Sequence, residues 1–178
     1  MDRKFALLLT GMSGSGKTTI GKALVDKLNN SSGGEIKTQL IDGDDTRHML
    51  GDMFSHTKDG RSQIARVNRL LGHYLLLNDI NVIYALVTPF EDIREEFRDF
   101  FGNRYIEVYV KCSLEVCERR DVKGLYKKFH AGTISNLNGK DDAYEEPRNP
   151  EIMVDTVEES IDESCQKVLK YLKEKGFI

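Results

Sequence analysis

The sequence predicts an α/β fold, a three-layer arrangement in which a parallel, doubly wound sheet is covered by helices on both faces and completed by a lid. Three observations predict it. Short apolar segments alternate along the chain with amphipathic helical ones. The apolar segments are nearly continuous, as strands buried on both faces are. The first of them runs into a glycine-rich loop that opens a helix.

The elements follow in order. Phe5 to Leu9 is the first strand, and Ile20, Leu24 and Leu28 then share one helical face. Thr38 to Ile41 is the second strand, followed by a helical stripe of Ile64, Val67, Leu71 and Tyr74. After the third strand, Asn81 to Val87, the residues Thr88, Pro89 and Glu91 read as N-cap, N1 and N3 of a capping box. That box precedes the stripe Phe90, Ile93, Phe97 and Phe101. Tyr105 to Val110 is the fourth strand and Ile152 to Val154 a weaker fifth. Thr156 with Glu159 repeats the capping signature ahead of Ile161, Cys165, Val168 and Leu172. Residues 51–61 and 121–150 lack periodicity and read as a mobile acceptor-side loop and a lid, because long aperiodic runs are uncommon unless functional. The whole of residues 1–178 reads as one domain.

Composition narrows the partners. Twenty-six Lys plus Arg against 29 Asp plus Glu leave no cationic excess, so duplex nucleic acid and anionic membranes are excluded as partners and small charged ligands are favoured. The run Phe5 to Leu9 falls far short of the roughly 20 apolar residues that span a bilayer, and Asp2, Arg3 and Lys4 before it make a poor leader. Cys112, Cys117 and Cys165 form no even disulfide set. Neither they nor His48, His56, His73 and His130 show zinc-site spacing. A reduced, cytoplasmic setting is expected, with a homodimer compatible.

Gly11 to Thr18 spells G-x-x-x-x-G-K-T between a strand and a helix, the context that gives this motif meaning. Glycines let backbone N–H groups converge on phosphate oxygens, and the helix N-terminus adds partial positive charge. Gly11, Ser13, Gly14, Ser15, Gly16, Lys17, Thr18 and Thr19 are therefore the expected ATP contacts. Lys17 reaches the β and γ phosphates, and Thr18 offers a hydroxyl to Mg²⁺. The fold is thus of the P-loop NTPase type. No N-K-x-D run marks a guanine-specific switch, and the length leaves little beyond a nucleotide site, an acceptor site and a lid. A nucleotide sensor is the non-enzymatic alternative.

Asp42, Gly43, Asp44, Asp45, Thr46 and Arg47 follow the second strand, on the edge that faces the phosphate loop. Phosphoryl transfer needs a held metal ion, neutralised charge and an aligned hydroxyl whose proton is accepted late. Asp42 and Asp44 can divide those tasks, with Asp42 beside Thr18 on the metal and Asp44 as base. The same residues also suit an Asp-Gly turn in which Asp44 or Asp45 caps a helix.

Phosphate loop, then D-G-D-x-x-R, then Lys123, Gly124, Leu125 and Tyr126 is an order that resembles the adenylyl-sulfate kinases. The resemblance extends through Phe54 and Ser55, Ala85 with Thr88, Pro89 and Arg94, the run Ile106 to Gly132, and Tyr144 to Ile152. It implies transfer of the ATP γ-phosphate to the 3′-hydroxyl of adenylyl sulfate, with Mg²⁺ as cofactor. Arg47 would hold the phosphosulfate end and Phe54 would stack on the base. Val87 and Thr88 would line the pocket, and Lys123 with Leu125 would close over it. The departures cluster on the acceptor side. The family's F-S-x-x-D-R, followed by asparagine three residues later, is stretched here to Arg61, with Gln63 as stand-in for the asparagine. Leu137 stands where a second aromatic is expected on the base, and Tyr84, Leu86, Phe90, Ile93 and Val122 are further replacements. A kinase for the ribose of a pyrimidine nucleotide such as cytidine diphosphoramidate is the alternative, with shikimate- or gluconate-type kinases third.

Overall fold

The computed structural model of the chain describes residues 4–31 and 35–178; Asp2 and Arg3 of the leader reading lie outside them. Five strands, β1 (Ala6–Thr10), β2 (Thr38–Asp42), β3 (Asn81–Ala85), β4 (Tyr105–Lys111) and β5 (Ile152–Asp155), form one sheet in the order β2-β3-β1-β4-β5. Every pairing is parallel. The central strand β1 shows why its sequence is apolar without a break. Phe5, Leu7 and Leu9 pack on one face with Ile20, Leu24 and Leu28 of α1 (Lys17–Ser31) and Cys165, Val168 and Leu172 of α7 (Ile161–Glu174). Ala6 and Leu8 pack on the other, with residues of α3 (Lys58–Leu77) and α4 (Glu91–Phe101). Three layers result, and the carboxyl ends of β1, β2 and β3 share one edge, where ligands of such sheets bind.

Shorter helices escaped the periodicity: α2 (Gly43–Leu50), α5 (Leu114–Arg120) and α6 (Leu125–His130). Each spans only a turn or two, too little for a stripe to register. Residues 51–61 hold a 3₁₀ turn, Gly51–Met53, and the start of α3. Residues 121–150 hold α6 and a bridge between Asn138 and Asp142.

Both capping boxes need correction. Helix α4 begins at Glu91 behind Phe90, without a cap from its own N-cap side chain. Glu145 serves from outside, its carboxylate accepting from Glu91 N–H at 2.7 Å. Thr88 is drawn into the core, where a buried hydroxyl must find a partner. The box before α7 is Ser160 with Glu163, one turn later than expected, because Thr156 is bonded to the phosphate loop.

The stripe on α3 is also rotated. Its inward residues are Ile64, Ala65, Asn68, Gly72 and Leu76, whereas Leu71 and Tyr74 are exposed. Gly72 explains the rotation. A Cβ there would meet the Tyr84 hydroxyl at 1.7 Å, so the helix turns its bare backbone toward that bulky strand residue.

Candidate active site

The loop between β1 and α1 is shaped by its glycines. A Cβ on Gly11 would meet the Val110 carbonyl oxygen at 2.5 Å, a clash no side chain tolerates. Lys17 is buried, and its ammonium donates to the carbonyls of Gly11 at 2.8 Å and Met12 at 2.7 Å. Burial, with the nearby positive charge of Lys123, lowers its pKa to about 8. It is thus a desolvated cation, which an incoming phosphate would stabilise. Beside it the Thr18 hydroxyl donates to Asp42 Oδ2 at 2.6 Å. Asp42 is buried, and its Oδ1 accepts from Asp44 N–H at 2.9 Å. The helix cap is therefore Asp42, not Asp44 or Asp45.

One cavity is lined by Gly14, Gly16, Lys17, Thr18 and Thr19 on the loop side and by Arg120, Val122, Lys123 and Thr156 opposite. Arg120 and Thr156 were not anticipated. Arg120 donates to the Thr156 carbonyl at 2.7 Å and hydroxyl at 3.1 Å, and the Thr156 hydroxyl reaches the Ser15 carbonyl at 2.9 Å. Together they buttress the loop from behind. No local pattern marks an arginine at the end of α5, so only the fold brings it here. Tyr126 adds a second brace, its hydroxyl donating to the Ser13 carbonyl at 3.0 Å. Cys117 lies under Gly14, and burial beside Cys112 pushes its thiol up to about 12. It is a core thiol, not a nucleophile.

A second cavity opens from the same Asp42 and is lined by Asp44, Arg47, Arg61, Val87, Thr88 and Lys123 over an apolar wall of Ile64, Ala65, Leu86 and Ile93. Lys123 lines both cavities and is paired with Asp44. Arg47 donates to the Phe54 carbonyl at 3.2 Å. Arg61 reaches across to the Asn136 carbonyl at 2.6 Å and Asp142 at 3.5 Å, tying α3 to residues 121–150. Burial holds both guanidinium groups below their ordinary pKa.

Four acceptor-side expectations shift. Phe54 lines an adjoining depression with Arg47, His48 and His56. Leu125 and Leu137 belong to a small apolar cluster with Cys112, Cys117 and Tyr126. Leu137 is buried there, since an aliphatic side chain gains more from that cluster than from a wet rim. Gln63 points away and donates to Asp59 at 2.9 Å; the residue three beyond Arg61 is Ile64.

Behind Val87 and Thr88 of the second cavity runs a chain of buried polar groups. Thr10, the last residue of β1, donates to the Val87 carbonyl at 2.8 Å. It also meets the hydroxyls of Thr88 at 2.9 Å and Tyr144 at 3.1 Å. Thr88 has φ of 37°, a strained conformation for a branched residue. Arg94 holds it by donating to its carbonyl at 2.9 Å, while pairing with Glu107 at 3.0 Å.

Comparisons with known proteins agree with this geometry. The sequence model of the family described as adenylylsulphate kinase matches residues 3–155. The adenylyl-sulfate kinase of Halothermothrix orenii is 41% identical over 95% of this chain and 89% of its own. That of a Picosynechococcus species is 40% identical over 99% and 97%. Among solved structures, the Mycobacterium tuberculosis APS kinase in complex with AMPPNP and APS superposes with a TM-score of 0.87. It is 31% identical, over 97% of this chain and 99% of that one.

Proposed function

Because this chain belongs to the adenylyl-sulfate kinase family, we propose that it transfers the γ-phosphoryl group of ATP to the 3′-hydroxyl of adenylyl sulfate, giving 3′-phosphoadenylyl sulfate. One observation carries the reading. The 2.6 Å bond between Thr18 and Asp42 joins the phosphate loop to the carboxylate that opens the acceptor cavity, so donor and acceptor share a wall. Transfer between two such sites is mostly positioning and charge neutralisation.

The side chains divide the work as follows. Lys17 leaves the carbonyls of Gly11 and Met12 for the oxygens of the transferring phosphoryl group. Mg²⁺, which the Thr18 hydroxyl and Asp42 carboxylate suit as adjacent hard oxygen donors, neutralises phosphate charge when bound. Asp44 accepts the proton of the 3′-hydroxyl, and Lys123 leaves Asp44 for phosphate as residues 121–150 close as a lid and exclude water. Arg47 and Arg61 meet the phosphosulfate end and Val87 and Thr88 the sugar, and the base extends into the adjoining depression that Phe54 lines. The three buried free cysteines support a cytoplasmic setting. No helix among the described residues is long and apolar enough to cross a membrane.

The test is ADP release with adenylyl sulfate and, separately, with a cytidine diphosphate derivative. Saturable turnover of adenylyl sulfate with product phosphorylated at the 3′ position is expected, and preference for the cytidine compound would overturn the assignment. The two aspartates separate in the same assay. Asp44→Asn lowers kcat by roughly two to four decades, the scale of a lost general base, with the KM for ATP little changed. Asp42→Asn weakens Mg·ATP binding as well, while its amide oxygen keeps the helix cap by accepting from Asp44 N–H. Unchanged turnover in Asp44→Asn alongside a dead Asp42→Asn would exchange their roles.

A homodimer is the proposed assembly. Leu70, Leu71, Tyr74 and Leu77 on α3 and Phe100 on α4 are between 46% and 63% exposed, an apolar surface of the kind that marks an interface. Sedimentation should give a dimer for the native chain and a monomer for Leu71→Glu; a monomeric native protein at tens of micromolar would refute it.

A further inference from the structure

Asp121 lines neither cavity, yet the first turn of the lid is built around it. It ends α5, its N–H donating to the Cys117 carbonyl at 3.0 Å, in a left-handed conformation with φ of 27°. Aspartate visits that region more readily than most residues, but the conformation persists only where surrounding contacts hold it. Its carbonyl accepts from Gly124 N–H at 2.9 Å, closing a turn over Val122 and Lys123. Its carboxylate reaches past that turn to α6, Oδ1 accepting from Tyr126 N–H at 3.1 Å and Oδ2 from Lys127 N–H at 3.0 Å.

The carboxylate thereby satisfies two of the N–H groups that the first turn of α6 leaves open, and it puts negative charge at the favourable end of the helix. Gly124, the N-cap residue, has no side chain to do so. Helix α6 is itself anchored to the phosphate loop, because Tyr126 is buried and its hydroxyl donates to the Ser13 carbonyl at 3.0 Å. What Asp121 holds is the turn between the two helices, through its backbone to α5 and through its carboxylate to α6. That turn carries Lys123, which lines both cavities and pairs with Asp44. A lysine ammonium swings on a flexible four-carbon stem, so where it can go is set by where its Cα is held. Gly124 beside it resists rotation least of any residue. Without the carboxylate the turn is free to pivot there.

We propose that Asp121 is a positioning residue for phosphoryl transfer, whose carboxylate, by capping α6, holds Lys123 where it can pass from Asp44 to the transferring phosphate. This rests on the kinase reading above and deepens it, by assigning control of the cation shared by the two cavities to a residue that lines neither. Asp121 acts only through Lys123.

The test is a double-mutant cycle on kcat, with ATP and adenylyl sulfate both saturating, over the native chain, Asp121→Gly, Lys123→Ala and the two combined. Glycine suits the left-handed backbone and removes only the carboxylate. Asp121→Gly should lower kcat about five- to thirtyfold, the factor to which a lost helix cap amounts. The combined variant should be no slower than Lys123→Ala alone, because a turn without its lysine has nothing left to place. Asp121→Asn, which keeps one acceptor oxygen, should recover part of the loss. Thermal unfolding shows which variants fold; should Asp121→Gly fail, Asp121→Asn takes its place in the cycle. Native kcat in the folded Asp121 variants, or losses that multiply in the combined one, would overturn the proposal and leave Asp121 a plain helix cap. The same cycle read as calorimetric affinity for Mg²⁺ with the imido analogue of ATP needs no acceptor. A native chain that does not phosphorylate adenylyl sulfate would overturn the assigned reaction, and the affinity cycle would then judge Asp121 by the same criterion.

Discussion

Lys17→Ala yields a folded protein whose turnover has fallen about a hundred- to a thousandfold, the cost of removing one preorganised charged donor from a transition state. The fold survives because the ammonium bonds groups of the loop itself, the carbonyls of Gly11 and Met12 and the Ser15 hydroxyl. The layers of the core are built from α1 residues on other turns, Ile20, Leu24 and Leu28. A second signature separates this from a generic loop defect. Burial lowers the Lys17 pKa from 10.5 to about 8 in the ligand-free protein, so its charge fades as pH rises past 8. Affinity for Mg·ATP should fall above that pH in the native chain and not in the variant. The stability linkage has the opposite sense. Between about pH 8 and 10.5 the unfolded chain binds more protons at this site than the folded one, so the native protein gains stability on the variant as pH rises through that window. Near-native turnover, or identical pH profiles for ATP binding, would refute the role given to Lys17.

The donor half of the site was legible because its chemistry is local. A phosphate loop is eight consecutive residues whose glycines, lysine and hydroxyl act where they stand in sequence, and here Gly14, Gly16, Lys17 and Thr18 line one cavity. The five strands were legible for a related reason, since burial on both faces writes an unbroken apolar run. The acceptor half depends on which way a helix is rolled. The stripe Ile64, Val67, Leu71 and Tyr74 is as apolar as the face that α3 actually buries. What decides between them is the fit of Gly72 under the Tyr84 hydroxyl, a contact that no window along one segment contains. Leu137, Arg120 and Thr156 were misplaced or missed because their partners, Cys112, Gly14 and Ser15, lie far away along the chain. Thr88 and Thr156 show the limit of motif reading most sharply. Each has the residue type and spacing of a helix cap, yet each spends its hydroxyl on a tertiary contact.

The largest effect on stability is expected from Arg94→Met, which should destabilise the fold by roughly 3–5 kcal/mol, as breaking one side of a buried ion pair does. Arg94 and Glu107 have side chains 2% and 5% exposed, with the guanidinium Nε 3.0 Å from the carboxylate. Burial pushes the Glu107 carboxyl above its ordinary pKa, and Arg94 and Arg98 hold it down. Without Arg94 only Arg98 remains, at 3.1 Å on the other carboxylate oxygen, and Glu107 rises further. A carboxyl whose folded pKa lies above its unfolded one destabilises the fold most above that folded pKa, and the deficit shrinks as pH falls through it. Urea unfolding at pH 7 and pH 5 should therefore show a smaller difference between variant and native chain at the lower pH. Arg94→Met combined with Glu107→Gln should recover part of the loss, since no uncompensated charge is left. Activity should suffer beyond stability, because the Thr88 carbonyl loses the donor that holds its strained backbone at the acceptor wall. A deficit that is the same at both pH values, with no recovery in the double variant, would show that Arg94 stabilises the fold by packing rather than by compensating Glu107.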